Sequence, residues 1–166
     1  SHYDNATLYN DSIVAQIVKR FQKQDAIVIY VPDHGEECYE ENRGFICRNH
    51  SAEIDWPLAH YEFEIPFWIY CSPKYIRNHR DIYRQIRKAK DKRFMTDALP
   101  HLLLYLAGIE TPTYKEEYNI LSPKYDEMRP RILKNSADYD KLRDAYLEKV
   151  KKEESKMVKK KKGDKK

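Results

Sequence analysis

Glycine is scarce in this chain, four residues in 166 and none clustered, which excludes a glycine-rich phosphate loop. Apolar runs are short as well. None approaches the roughly 20 residues of a membrane-spanning helix, and no charged-then-apolar signal segment opens the chain, so these residues contain neither. Cysteine is limited to Cys38, Cys47 and Cys71, which leaves the redox compartment open. Cys38 and Cys47 bracket one loop at a spacing that a disulfide can close, and unpaired thiols are the alternative. Neither a Ser-His-Asp nor a Cys-His arrangement is suggested by residue order, and there is no internal repeat. The chain opens Ser1-His2 without a Met, which reads as a processed product or a piece of something longer.

What is present suffices for one globular unit: 41% hydrophobic residues, with five Phe, two Trp and fourteen Tyr for a packed core. The net charge of +4 is unevenly placed. Residues 149–166 hold ten Lys against Glu153, Glu154 and Asp164, a net of +7, which leaves −3 for the first 148 residues. A basic nucleic-acid-binding body is thereby excluded, and the charge belongs to a tail.

Over residues 5–23, Leu8, Ile13, Val14, Ile17, Val18 and Phe21 fall on one stripe, which predicts an amphipathic helix with Asn5 as its cap. The run AIVIYV, Ala26 to Val31, is too short and too β-branched for a helix. It predicts a strand covered on both faces in a parallel sheet, ending at Pro32. Residues 33–60 read as polar and irregular. Tyr61 to Cys71 reads as extended and interrupted at Pro66, its second half from Phe67 the stronger strand. A charged helix over about 78–91 follows, then one capped by Thr96, carrying Leu99, Leu102, Leu103 and Leu106 and stopped by Gly108. Residues 110–137 are loop-like, and a Lys-rich helix from about Tyr139 runs into a low-complexity tail. Helices alternating with strands indicate an α/β layered fold, but two strands are too few to complete one sheet.

The informative stretch is Val31-Pro32-Asp33-His34-Gly35-Glu36, just past the C-terminal end of the apolar strand, where open α/β sheets place ligands. A carboxylate and an imidazole are both zinc ligands, and at a strand-to-loop turn neighbouring side chains can converge on one ion. Gly35 would give that turn its freedom. The bland alternative is a polar turn in which Asp33 caps backbone donors. Catalytic zinc needs about three protein ligands. His50, in the loop leaving the turn, is the best further candidate, with Glu36, Glu37 and His60 behind it. His2, His79 and His101 read as structural or exposed.

In these motifs the chain resembles the phosphoethanolamine transferases that modify lipid A and related envelope glycans, within the alkaline phosphatase and sulfatase superfamily. Tyr3-Asp4-Asn5 resembles the family's YDN segment and Asp33-His34-Gly35-Glu36 its DHGE motif. His50 matches the His that ends the following loop, at a somewhat longer spacing, and Ile65-Pro66-Phe67-Trp68-Ile69 matches its IPF strand. Asp97 to Leu103, continuing to Ile109, resembles the superfamily's D-x-x-P-T-L-L-x-L-A-G-I helix, with His101 in place of Thr.

The resemblance implies the C-terminal part of an alkaline phosphatase-like α/β/α sandwich over residues 1–137, followed by a helical, Lys-rich tail over 138–166. It implies Asp33 and His34 as ligands of zinc, one or two ions, and His50 as a group binding the phosphoryl moiety or a second metal. The nucleophilic Thr and a metal-binding Glu lie upstream of the YDN segment in that family, so no nucleophile is assigned within this chain. The implied reaction is double displacement, from a phosphatidylethanolamine donor through a covalent enzyme intermediate to lipid A or a glycan. The implied setting is a periplasmic domain attached through an upstream membrane anchor. One alternative is a sulfatase or phosphodiesterase on the same fold, distinguished by its upstream nucleophile. The other is a non-enzymatic polybasic module acting through the tail on anionic lipid or nucleic acid.

Overall fold

The computed structural model of the chain describes residues 2–40, 44–47 and 53–163. It is a mixed helix and sheet structure that divides into two compact units. The first comprises Ser1–Val31 and Pro66–Met128, and the second Pro32–Ile65 and Arg129–Lys166.

The first unit opens with α1, His2–Phe21. Its apolar stripe is present but largely open to solvent: no residue of α1 is buried, and Leu8, Ile13 and Ile17 are exposed. Strand β1, Ile27–Tyr30, is where the apolar run places it, but its partner runs the other way. It pairs antiparallel with the later strand Trp68–Cys71, Tyr30 opposite Trp68 and Ile27 opposite Cys71. All four β1 residues are half-buried. An unbroken apolar run reports that a strand is covered without reporting its direction, which corrects the parallel expectation.

Ser72 makes the corner after that strand. Its backbone N–H donates to the Ala26 carbonyl at 3.0 Å, and its fully buried hydroxyl donates to the Gln24 carbonyl at 2.6 Å. The same hydroxyl oxygen accepts from Tyr75 N–H, capping the helix that Pro73 begins. The charged helix expected over about 78–91 is Arg80–Ala89, and a separate short helix that was not expected, Pro73–Asn78, precedes it across His79. A 3-10 turn, Thr96–Ala98, leads into the helix Leu99–Ala107. That helix stops at Gly108, which is left-handed at φ 66° and lets Ile109 N–H reach the Leu104 carbonyl at 2.9 Å. Leu102 is fully buried and packs with Ala89, Ile120 and Leu121.

The second unit holds two short antiparallel hairpins. One pairs β2, Glu37–Cys38, with β3, Phe45–Cys47; the other pairs Ile132–Leu133 with Ala137–Asp138. Between β3 and Trp68, in chain order, stands α2, Trp56–Phe63. Residues 61–63 are therefore helical, where the expectation was extended. The Asp55 carboxylate accepts from Leu58 N–H at 2.9 Å and Pro57 occupies the first turn, two start signals that outweigh the aromatic content. Numbering in chain order, β4 is Trp68–Cys71, α3 Pro73–Asn78, α4 Arg80–Ala89 and α5 Leu99–Ala107. Strands β5 and β6 form the second hairpin, and α6 is Tyr139–Gly163.

Helix α6 packs on α2 through Tyr139 and Leu142, against Leu58 and Ala59. The Tyr139 hydroxyl donates to Glu64, and burial first, then that carboxylate, pushes the phenol well above its ordinary range. Arg131 bridges Asp140 with two hydrogen bonds, of 2.7 and 3.2 Å, and lies over the Tyr139 ring. Residues 151–157 of α6 are all exposed. Deleting residues 152–166 is therefore expected to change stability by less than about 0.5 kcal/mol, as for surface positions. A clear fall in melting temperature would reveal a docked helical end.

Among the described residues no helix is long and apolar enough to cross a membrane. The Cys38–Cys47 pairing falls on a Cys47 side chain outside those described.

Candidate metal centre

Asp33 and His34 follow β1 by three and four residues, on the turn that leads into β2. Asp33 Oδ1 accepts from His34 N–H at 3.1 Å, which fixes the carboxylate against the turn. His34 Nδ1 lies 2.8 Å from the Gly35 carbonyl oxygen. A carbonyl can only accept, so Nδ1 carries the proton and Nε2 is left with the lone pair in the neutral ring. That Nε2 stands 3.4 Å from Asp33 Oδ2. Two donors on one tetrahedral zinc, with bonds of about 2.0–2.2 Å, are about 3.3–3.5 Å apart. The donor chemistry, the separation and the tautomer all suit a divalent ion, and a backbone carbonyl orienting the far ring nitrogen is the usual support of a histidine ligand.

Access differs between the two. The Asp33 side chain is 87% exposed and the His34 side chain 26%, so the imidazole is anchored while the carboxylate faces solvent.

Gly35 holds the turn in place by a means the sequence did not announce. Its N–H donates to the Glu62 carbonyl at 2.8 Å, tying the turn to the last turn of α2. A Cβ on Gly35 would fall 2.2 Å from the Tyr61 carbonyl oxygen. Gly35 is required for space rather than for a left-handed conformation, since its φ is not positive. Gly35→Ala must push the turn off α2 and is expected to cost about 1–3 kcal/mol, as overpacking does. Denaturant unfolding checks this, and a loss below about 0.5 kcal/mol would show that the contact is loose.

The remaining candidates divide. His60 is on α2, stacked on Trp56 at 5.5 Å with Nδ1 3.1 Å from Glu64, so it is engaged by residues on and just after its own helix. Glu37 is fully buried at the start of β2 and Glu36 half-buried before it. His50 lies outside the described residues. His79 sits 3.3 Å from Asp25, and His101 Nδ1 accepts from Lys115 N–H at 3.0 Å, both structural as expected. Among the described residues no group of three His, Cys, Asp or Glu side chains gathers to hold a metal; Asp33 and His34 form a pair.

The family model described as Sulfatase matches residues 1–109. Phosphoethanolamine transferase EptC of Escherichia coli (strain RS218) is 32% identical over 148 residues, 84% of this chain and 24% of that protein. The Kdo(2)-lipid A phosphoethanolamine 7''-transferase of Escherichia coli is 30% identical over 94 residues, 55% of this chain and 16% of that protein. The crystal structure of the C-terminal periplasmic domain of EptC from Escherichia coli, in complex with Zn, superposes with a TM-score of 0.66 at 30% identity. It matches 84% of this chain and 39% of its own. The chain thus spans about a quarter of the first curated relative and about two fifths of the solved domain. With the motif order, the sequence identity and the fold in agreement, the chain belongs to the sulfatase family and matches part of the alkaline phosphatase-like domain of phosphoethanolamine transferases.

Proposed function

We propose that this segment contributes Asp33 and His34 to the zinc centre of a phosphoethanolamine transferase. The supporting observation is the convergence of Asp33 Oδ2 and His34 Nε2 at 3.4 Å, with the other ring nitrogen committed to the Gly35 carbonyl. Zinc held there supplies positive charge that lowers the pKa of a nucleophilic hydroxyl and stabilises charge on phosphoryl oxygens. Within this chain the work is positional. His34 presents its lone pair because Nδ1 is occupied, Asp33 offers an anionic oxygen beside it, and Gly35 sets both against α2.

The nucleophile of this reading is the family's threonine, upstream of the residues described. Its oxygen bonds to the donor phosphorus as the bond to the diacylglycerol oxygen breaks, and an acceptor hydroxyl or phosphate then displaces the threonine. His50 is the residue proposed to bind the phosphoryl group. Donor phosphatidylethanolamine, a lipid A or glycan acceptor, and a periplasmic location on a membrane-anchored protein complete the proposal.

An enzyme containing this segment is expected to move labelled phosphoethanolamine from phosphatidylethanolamine to a lipid A acceptor and to lose that activity on chelation. Hydrolysis of an aryl sulfate with no transfer would replace this reading by the sulfatase one.

A further inference from the structure

Helix α4 carries Arg80, Arg84 and Arg87 at spacings of four and three residues, with Lys88 beside them, so the four cations share one stripe. All four are exposed. The opposite stripe, Ile82, Ile86 and Ala89, is packed into the core of the first unit. The turn that follows adds Lys90, Lys92 and Arg93. Against these seven cations stand Asp81, 3.3 Å from Arg84, and Asp91, 3.6 Å from Lys90. Residues 80–93 thus carry +5, whereas the rest of the chain outside the Lys-rich tail carries −8. Such segregation places an anion-attracting face on an otherwise acid body.

Beside this face lies a groove of about 270 Å³ lined by Phe67, Trp68, Ile86 and Phe94, with exposed Arg87 and Lys90 also on its wall. Trp68 is 36% exposed and stacked on Tyr30 at 5.2 Å. Cations alone would suit any polyanion. An apolar groove with an accessible Trp suits an amphiphile, whose charged heads meet the arginines while its hydrocarbon meets the ring.

We propose that the outward face of α4 and this groove dock onto the surface of an anionic phospholipid bilayer. The surface includes neither Asp33 nor His34, so the docking reading and the zinc reading stand or fall separately.

The test is co-sedimentation of the full chain with vesicles of mixed phosphatidylglycerol and phosphatidylcholine, against phosphatidylcholine alone. The Lys-rich tail adds its own attraction, so the comparison is between wild type and Arg80→Gln/Arg84→Gln/Arg87→Gln, which share the tail. The triple variant is expected to lower partitioning to the anionic vesicles about 100-fold. Brominated phosphatidylglycerol is expected to quench wild-type fluorescence, and Trp68→Phe to remove most of that quenching, a readout independent of the arginine variants. The proposal is overturned by equal partitioning of wild type and triple variant, or by quenching that survives Trp68→Phe. It is overturned equally by arginine-dependent binding to an oligonucleotide tighter than to the vesicles at the same salt.

Discussion

Replacing either Asp33 or His34 with alanine, in an enzyme that contains this segment, is expected to lower zinc affinity by more than about 100-fold and transfer activity with it. Removing an outer-shell partner alone costs roughly 10- to 100-fold, and these two side chains are proposed as inner ligands. His79→Ala is the control, since His79 pairs with Asp25 in the other unit. The two substitutions should be equally damaging to zinc but unequal in stability. Asp33 is 87% exposed and His34 is anchored by its bond to Gly35, so His34→Ala should be the less stable apo-protein. Metal analysis is decisive: full zinc occupancy in both variants would remove the pair from the site.

Leu102→Ala should have the largest effect on stability, a loss of about 2–5 kcal/mol. Leu102 is fully buried between Ala89 on one side and the consecutive Ile120 and Leu121 on the other, two separate stretches of the first unit, so the cavity cannot be closed by moving one of them. A loss of that size is a large part of the roughly 5–15 kcal/mol that holds a domain folded. Urea unfolding measures it, and a loss below about 1 kcal/mol would show that the surrounding residues collapse into the space.

The elements that sequence reasoning located well are those with at least one sharp boundary signal. Gly108 ends α5 in the left-handed conformation as expected, whereas Thr96 lies inside the 3-10 turn that precedes α5 and its side chain makes no capping bond, which corrects the cap reading. Helix α6 begins at Tyr139, the residue expected. Helix α2 was missed because Trp56, Tyr61 and Phe63 favour strands, while its start signals, Asp55 and Pro57, lie in a stretch that reads as irregular. Strand direction was misread because apolarity does not encode it. At the candidate site the residue types were legible and their support was not. No local pattern reports that Gly35 must approach the α2 backbone, because that contact joins residues 27 apart. The basic stripe of α4 was present in the arginine spacing, but only burial of Ile82 and Ile86 shows which way it faces.

The antiparallel pairing of Tyr30 with Trp68 closes an excursion of thirty-seven residues, 31–67, that contains the Asp33-His34 turn and the His50 loop. The entropy of closing a chain loop grows only with the logarithm of its length, so ten further residues would cost about 0.2 kcal/mol. A one-residue slip in the ladder, by contrast, would turn every side chain of β1 to the other face. Length can therefore change in the connections between the elements of this excursion while the register of four residue pairs stays fixed. The longer spacing to His50 that the family resemblance implies would be a variation that polymer statistics permit at almost no thermodynamic penalty.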